Sequence, residues 1–227
     1  MEIVASIQAR MGSSRLPGKV LENICGKPLL LWQVERIKRS KFISNVIVAT
    51  SNSPVDDEIE EFCKTNKINC FRGPEDDVLQ RITDLLVKYD ILIHAEFYGD
   101  SPLVDPLIID QKIEIFKKNQ HKADYFSSAI ETTYPPGLEV TLYPSEVLKK
   151  VNDMVQPEDP LREHVGFNIT RFKDQFRVFS IKAPVKYYKP NIYLEVDTKE
   201  DLIFIRKIIS HFVSINKYNF GIDEIIN

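Results

Sequence analysis

Residues 3–19 read IVASIQARMGSSRLPGK. The opening IVASIQA is a short, mostly apolar run followed by turn residues, the pattern of a strand buried on both faces. The loop that follows carries Arg10, Arg15 and Lys19 together with Gly12 and Gly18. No acidic residue occurs between Glu2 and Glu22, although the chain as a whole has a net charge of −3. A Gly/Ser turn can aim its backbone N–H groups at an anion. Arginine binds phosphate oxygens through two parallel hydrogen bonds, and lysine acts as a mobile point charge. Two familiar phosphate loops do not fit. Five residues rather than four separate Gly12 from Gly18, and Val20 rather than Ser or Thr follows Lys19, so this is no Walker A loop; the dinucleotide pattern GxGxxG is absent too. A solvated basic loop is the plain alternative. The coincidence of loop, strand end and charge favours an anion site.

Working outward, NVIVAT (45–50), INCFR (68–72) and ILIHAEF (91–97) repeat the buried-strand signal. Between them, residues 28–40, 55–66 and 75–90 have the 3.6-residue period of amphipathic helices, with acidic residues early or basic residues late. This alternation predicts an α/β fold with a doubly wound, mostly parallel sheet. Such sheets bind ligands beyond the carboxyl ends of their strands, where the basic loop lies. After a helix at 105–120 the pattern loosens. ADYFSSAI (123–130) and LEVTLYP (138–144) read as strands, followed by a short helix from Pro144 and a helical stretch over 160–172. FRVFSIK (176–182) alternates with period two and reads as an antiparallel strand. IYLEVD (192–197) reads as the last strand, leading into a helix from Thr198. The expectation is one domain over 1–227 with an antiparallel excursion at about 123–190.

The 227 residues include 30 Lys and Arg against 33 Asp and Glu. A protein held by nucleic-acid backbone usually has a basic excess, so no nucleic-acid partner is expected. Cys25, Cys63 and Cys70 are odd in number and lack CxxC spacing, which argues against a disulfide framework or a zinc site. Glu2 and Arg10 interrupt the first apolar run, so no signal peptide is expected there, and no apolar run is long enough to span a membrane. A cytoplasmic protein without a membrane partner is the expectation.

Two lone aspartates close strand-like segments far apart in the chain. Asp100 follows Gly99 in GDSPLVDP, and Asp197 ends EVD. If they meet across one crevice, they supply hard oxygen ligands suited to Mg²⁺ shared with a triphosphate. Asp197 in DTKED is equally placed to cap the next helix, and Asp105 reads mainly as a cap. Asp76 and Asp77 also stand where a helix begins.

The stretch QARMGSSRLPGK resembles the signature of the cytidylyltransferases that activate acidic sugars, namely the CMP-Kdo and CMP-sialate synthetases and the SpsF-like spore coat polysaccharide branch. FRGPEDDVLQR, GDSPLVDP, YPPGLEV, REHV and LEVDTKEDL follow in that family's order. The resemblance implies an α/β nucleotidyltransferase fold, CTP as one substrate and an anionic sugar (a 3-deoxy-2-ulosonic or nonulosonic acid) as the acceptor. It further implies Mg²⁺ held by Asp100 and Asp197, a homodimer, and a role in surface polysaccharide synthesis. It places Gln8, Ala9, Arg10, Gly12, Ser13, Arg15 and Lys19 around the nucleotide, with Arg10, Arg15, Lys19 and Asp100 as the catalytic set. Arg72, Asp77 and Arg81 are assigned to the nucleobase. Tyr134, Glu139, Arg162, Glu163 and His164 are assigned to the acceptor, Arg162 to its carboxylate. One departure stands out. Family members commonly carry Arg or Gln three or four residues before the aspartate of the GD motif, where this chain reads HAEFYGD with Glu96 and Tyr98. That reversal keeps two alternatives open: another nucleotide or a sugar phosphate or phosphonate acceptor, and a nucleotide-binding relative without catalysis.

Overall fold

A computed structural model describes residues 2–172 and 174–227. Strand β1 (Ile3–Gln8) lies between β4 (Ile43–Ser51) and β6 (Ile93–Tyr98), parallel to both, and β5 (Asn69–Gly73) extends the sheet beyond β4. The short ribbon β2 (Asn23–Ile24) and β3 (Lys27–Pro28) closes the basic loop and hands the chain to α1 (Leu29–Ile37). Beyond β6 come β8 (Thr141–Pro144), β7 (Tyr125–Ser127) and β9 (Val178–Ser180), giving the order β5-β4-β1-β6-β8-β7-β9. The sheet is mostly parallel, with β8 running against both its neighbours.

Alternation along β1 divides the core. Ile3, Ala5 and Ile7 face the layer of α1, α2 (Asp57–Thr65), α4 (Pro106–Asn119) and α7 (Lys199–Ser214). Val4 faces the layer of α3 (Val78–Lys88), α5 (Ser145–Met154) and α6 (Val165–Arg171). Strands buried on both faces need both layers, which is why they read as continuous apolar runs. A last short helix, α8 (Ile222–Ile226), packs Ile222 into the first layer.

Two strand expectations are corrected. β9 pairs with β7 in parallel, not antiparallel. Its period-two pattern marks a half-exposed edge strand and carries no information on direction. Residues 192–197 form no strand. They cross the ends of the sheet as an extended segment, with Leu194 N–H donating to Pro136 O at 2.7 Å and Val196 N–H to Asp100 O at 2.8 Å. Leu194 and Val196 are fully buried, so this segment has the same alternation as a strand without joining the ladder. Its passage depends on Gly137, at φ +98°, where a Cβ would stand 2.6 Å from the Leu194 carbonyl carbon.

Candidate active site

The basic loop is shaped by backbone contacts before any ligand is considered. Ser13 and Gly18 N–H groups both donate to Met11 O at 2.9 Å, and Gly18 takes φ +73° to turn the chain into a short 3₁₀ turn at Lys19–Leu21. The buried Asp56 carboxylate accepts from Met11 N–H at 2.7 Å and from the Ser51 hydroxyl, tying the loop to the end of β4. Gly99 N–H donates to Gln8 O at 2.8 Å, and a Cβ at Gly99 would meet that oxygen at 3.0 Å. A side chain at this position would crowd the end of β1, so glycine suits the close approach of the segment bearing Asp100.

Lys19 is the pivot. Its ammonium donates to Val196 O at 2.6 Å and to Asp197 Oδ1 at 3.0 Å, and stands 3.6 Å from Asp100 Oδ2. Arg15 reaches the same Asp197 oxygen at 2.9 Å, and Arg10 pairs with Glu163 at 3.0 Å. The capping role open to Asp197 falls elsewhere. Thr198 accepts from Asp201 N–H and Asp201 accepts from Thr198 N–H, a reciprocal box that leaves the Asp197 side chain facing the lysine. Asp105 caps α4 by accepting from Leu107 and Ile108 N–H.

These groups line a cleft of about 270 Å³ that also includes Gln8, Ala9, Ser13, Val78, Arg81, Tyr98 and His164. The cleft lies beyond the carboxyl ends of β1 and β6. Its floor is acidic. Burial pushes the Asp100 carboxyl above the usual range, and neighbouring Asp197 adds to this while Lys19 opposes it. Glu195 is pushed up to about 7 by burial, with Asp100, Glu139 and Asp197 contributing. Two carboxylates already converge on one ammonium, so the geometry suits a shared cation. Among the described residues no group of three or more His, Cys, Asp or Glu is disposed to enclose a metal. Mg²⁺ needs no such cage, since it commonly takes one or two carboxylates plus substrate phosphate oxygens. The Asp100–Asp197 pair fits that role.

Several expected contacts lie elsewhere. Arg162 is not a surface ligand group. The 3₁₀ turn at Pro160–Glu163 points it inward, where it is 5% exposed. Its Nε donates to Asp77 Oδ2 at 2.7 Å, and its two amino nitrogens donate to Val155 O and Asn152 Oδ1. The same turn leaves Glu163 and His164 exposed at the cleft. Asp77 spends its other oxygen capping α3 through Gln80 N–H. Arg72 lies away from the cleft, bound to Asp57, Glu60 and the Ser51 and Ser53 carbonyls. Tyr134 is buried beneath the Lys112 ammonium, which sits 3.9 Å from its ring centre. Glu139 accepts from Gly137 N–H at 2.6 Å. Gly12 has open space around it and makes no steric demand.

Glu96 is 2% exposed and faces the core behind the cleft rather than the cleft itself. Its carboxyl is not among the groups that line the cleft. Asp56 and Glu195 carry no signal in the sequence that would place them in this region. Asp56 reads as an ordinary helix-start residue, and only the fold brings it under the loop.

Residues 4–219 match the cytidylyltransferase family. The spore coat polysaccharide biosynthesis protein SpsF of Bacillus subtilis is 33% identical over 217 residues, which cover 91% of this chain and 86% of that protein. The 8-amino-3,8-dideoxy-manno-octulosonate cytidylyltransferase of Shewanella sediminis is 36% identical, over 89% of this chain and 96% of its own length. The solved structure of a cytidylyltransferase from Leptospira borgpetersenii superimposes with a TM-score of 0.90 at 31% identity, over 100% of this chain and 92% of that one. With its site at the sheet's carboxyl edge and its likeness running nearly end to end, the chain belongs to the cytidylyltransferase family and is a CTP-dependent nucleotidyltransferase.

Proposed function

We propose that the protein transfers CMP from CTP to an anionic sugar acid of the 3-deoxy-2-ulosonic or nonulosonic type. The acceptor hydroxyl oxygen forms the new bond to the α-phosphorus and gives up its proton to solvent, and the bond from that phosphorus to the bridging oxygen breaks, releasing pyrophosphate. The observation that carries this reading is the convergence of Lys19 on Asp100 and Asp197 in a cleft rimmed by Arg10 and Arg15. Phosphoryl-type transfer mainly needs positioning and neutralisation of charge. Arg10, Arg15 and Lys19 would exchange their carboxylate partners for triphosphate oxygens, and Ser13 and the loop N–H groups would add hydrogen bonds. Asp100 and Asp197 would hold Mg²⁺, which when bound neutralises phosphate charge and polarises the α-phosphate. Of the residues lining the cleft, Gln8, Ala9 and Arg81 would serve the nucleoside, and Glu163 and His164 the acceptor.

An acidic acceptor is supported by the names of the relatives, one of which acts on an amino-dideoxy-octulosonate. A role in surface polysaccharide synthesis rests on the name of the SpsF relative. A homodimer through residues 123–190 completes the reading, supported by the exposed Ile130, Phe167, Val178 and Tyr188 there, and sedimentation checks it. The decisive assay combines the protein with CTP, Mg²⁺ and a panel of ulosonic and nonulosonic acids, following pyrophosphate release and the CMP-sugar. Turnover with a neutral sugar phosphate alone would replace the acidic acceptor. No turnover with any acceptor would return the protein to a binding role.

A further inference from the structure

Behind the cleft runs a buried chain of hydrogen bonds with a single polarity. Ser6 Oγ lies 2.8 Å from His94 Nε2, and His94 Nδ1 lies 2.8 Å from the Tyr143 hydroxyl. Tyr143 donates to Glu96 Oε2 at 2.8 Å, and Gln8 Nε2 donates to Glu96 Oε1 at 2.6 Å. Tyr143 has one hydrogen, and Glu96 takes it, so His94 must donate from Nδ1 and accept at Nε2. Burial pulls His94 down to about 3, which keeps it neutral and able to do so. Every donor in the chain thus points toward Glu96.

The consequence reaches the cleft through Gln8. An ionised carboxylate only accepts, so the Gln8 amide must turn its NH₂ toward Glu96. Its carbonyl Oε1 is then left free, accepting no hydrogen bond from the described residues, while Gln8 itself lines the cleft. Cytosine and uracil differ along one edge: cytosine has an exocyclic amine that donates beside a ring N3 that accepts, and uracil has a carbonyl that accepts beside a ring N3–H that donates. An amide held as an obligate acceptor opposite the exocyclic position separates them. We propose that Gln8 Oε1 reads the cytosine amine, and that Glu96, from behind, is the positioning residue that fixes the amide in the selective orientation. This rests on the assignment of the cleft to CTP but not on any acceptor.

The titratable groups facing Glu96 are Tyr98 and His94 from β6, Tyr143 from β8 and Tyr125 from β7, with Gln8 from β1. Burial pushes Glu96 up to about 7, against hydrogen bonds from Tyr143, Tyr98 and Gln8 that pull it down. A protonated Glu96 can donate to Gln8 Oε1, which frees the amide to turn its NH₂ toward the cleft and accept uracil instead.

The test is calorimetric titration of CTP and UTP with Mg²⁺, which needs no acceptor and no turnover. The shared triphosphate cancels in the ratio of the two affinities. The wild-type protein at pH 8 should favour CTP, and Gln8→Met should shrink that preference about tenfold, chiefly by weakening CTP. Glu96→Gln should shrink it in the same direction, because an amide accommodates either orientation of Gln8. The wild-type preference should fall between pH 8 and pH 6, while that of Gln8→Met stays level; this arm holds even if Glu96→Gln does not fold. Equal weakening of CTP and UTP by Gln8→Met, or a pH-independent wild-type ratio, overturns the proposal. Absence of turnover with every acceptor would overturn the acceptor reading and leave this test intact.

Discussion

Lys19 Nζ stands 3.0 Å from Asp197 Oδ1, although 178 residues separate them in the chain. The contact joins the first loop of the fold to the segment before its last long helix, and it is nearly dry, with the Lys19 side chain 9% exposed. A cation held there is preorganised for the charge of a departing pyrophosphate. Replacing it with alanine removes one charge-assisted contact to developing charge, a loss of roughly 2–4 kcal/mol in transition-state stabilisation. Lys19→Ala should therefore lower kcat by about 30- to 10³-fold under saturating CTP. Turnover within threefold of wild type would take Lys19 out of the mechanism.

Arg162 and Asp77 form the opposite case, a charge pair that holds the fold. Arg162 also satisfies Val155 O and Asn152, so one guanidinium ties the turn before α6 to the start of α3 and the end of α5. Removing Arg162 costs about 3 kcal/mol, from three lost hydrogen bonds to one buried guanidinium, while the carboxylate left behind on Asp77 is 29% exposed and partly met by water. For a chain of this size that is a fall in Tm of roughly 10 °C. Arg162→Ala should show that fall in a thermal melt. Well below the new midpoint, the acceptor KM should stay within a few-fold of wild type. A tenfold rise in KM with an unchanged melt would restore Arg162 to the ligand.

Much of this was legible in the sequence. The parallel half announced itself because its strands are buried on both faces and its helices are amphipathic, two periodicities that differ plainly. The basic loop was legible because its charge contrasts with an acidic chain. What escaped reading depends on direction and depth. The alternation of residues 192–197 records burial of Leu194 and Val196, and a crossing segment buries them as well as a strand does. Arg162, Glu163 and His164 are adjacent in sequence, and only the 3₁₀ turn decides that the first points inward. Glu96 reads as a charge near the ligand because no local pattern shows that His94 and Tyr143 wait behind it. Asp56 lies 45 residues from the loop it anchors.

The buried Glu96 also makes stability depend on pH. Its carboxyl is raised to about 7 from the usual 4.5, so the folded state binds this proton more tightly than the unfolded state. Stability from this source is fully present below pH 4.5 and is lost as pH rises to 7. The size is on the order of 3 kcal/mol by linkage, at about 1.36 kcal/mol for each pH unit between 4.5 and about 7. Glu96→Gln has no proton to lose there. Its stability relative to wild type should therefore rise by that amount between pH 4.5 and pH 8, read from denaturant midpoints at each pH. A constant difference across the range would mean that Glu96 keeps an ordinary carboxyl behind the sheet.

Asp100 and Asp197 meet at one ammonium in the free protein, and that meeting makes a sharp prediction about Mg²⁺. If both carboxylates share one ion with the triphosphate, each is useful only while the other is present. Asp100→Asn and Asp197→Asn should each raise the Mg²⁺ concentration for half-maximal activity by at least tenfold. The neutral amides keep the shape of the site, so folding need not suffer. Each single variant also leaves Lys19 with one carboxylate fewer, an effect that can be gauged from CTP binding in the absence of Mg²⁺. The double variant should lose much less than the product of the single losses, because residues acting through one ion are energetically coupled. Measured as a cycle over a Mg²⁺ titration, a coupling of 1 kcal/mol or more lies within the range seen for residues that share a network. Effects that simply multiply would separate the two residues, leaving Asp197 as a partner of Lys19 and Arg15 with no part in holding the metal.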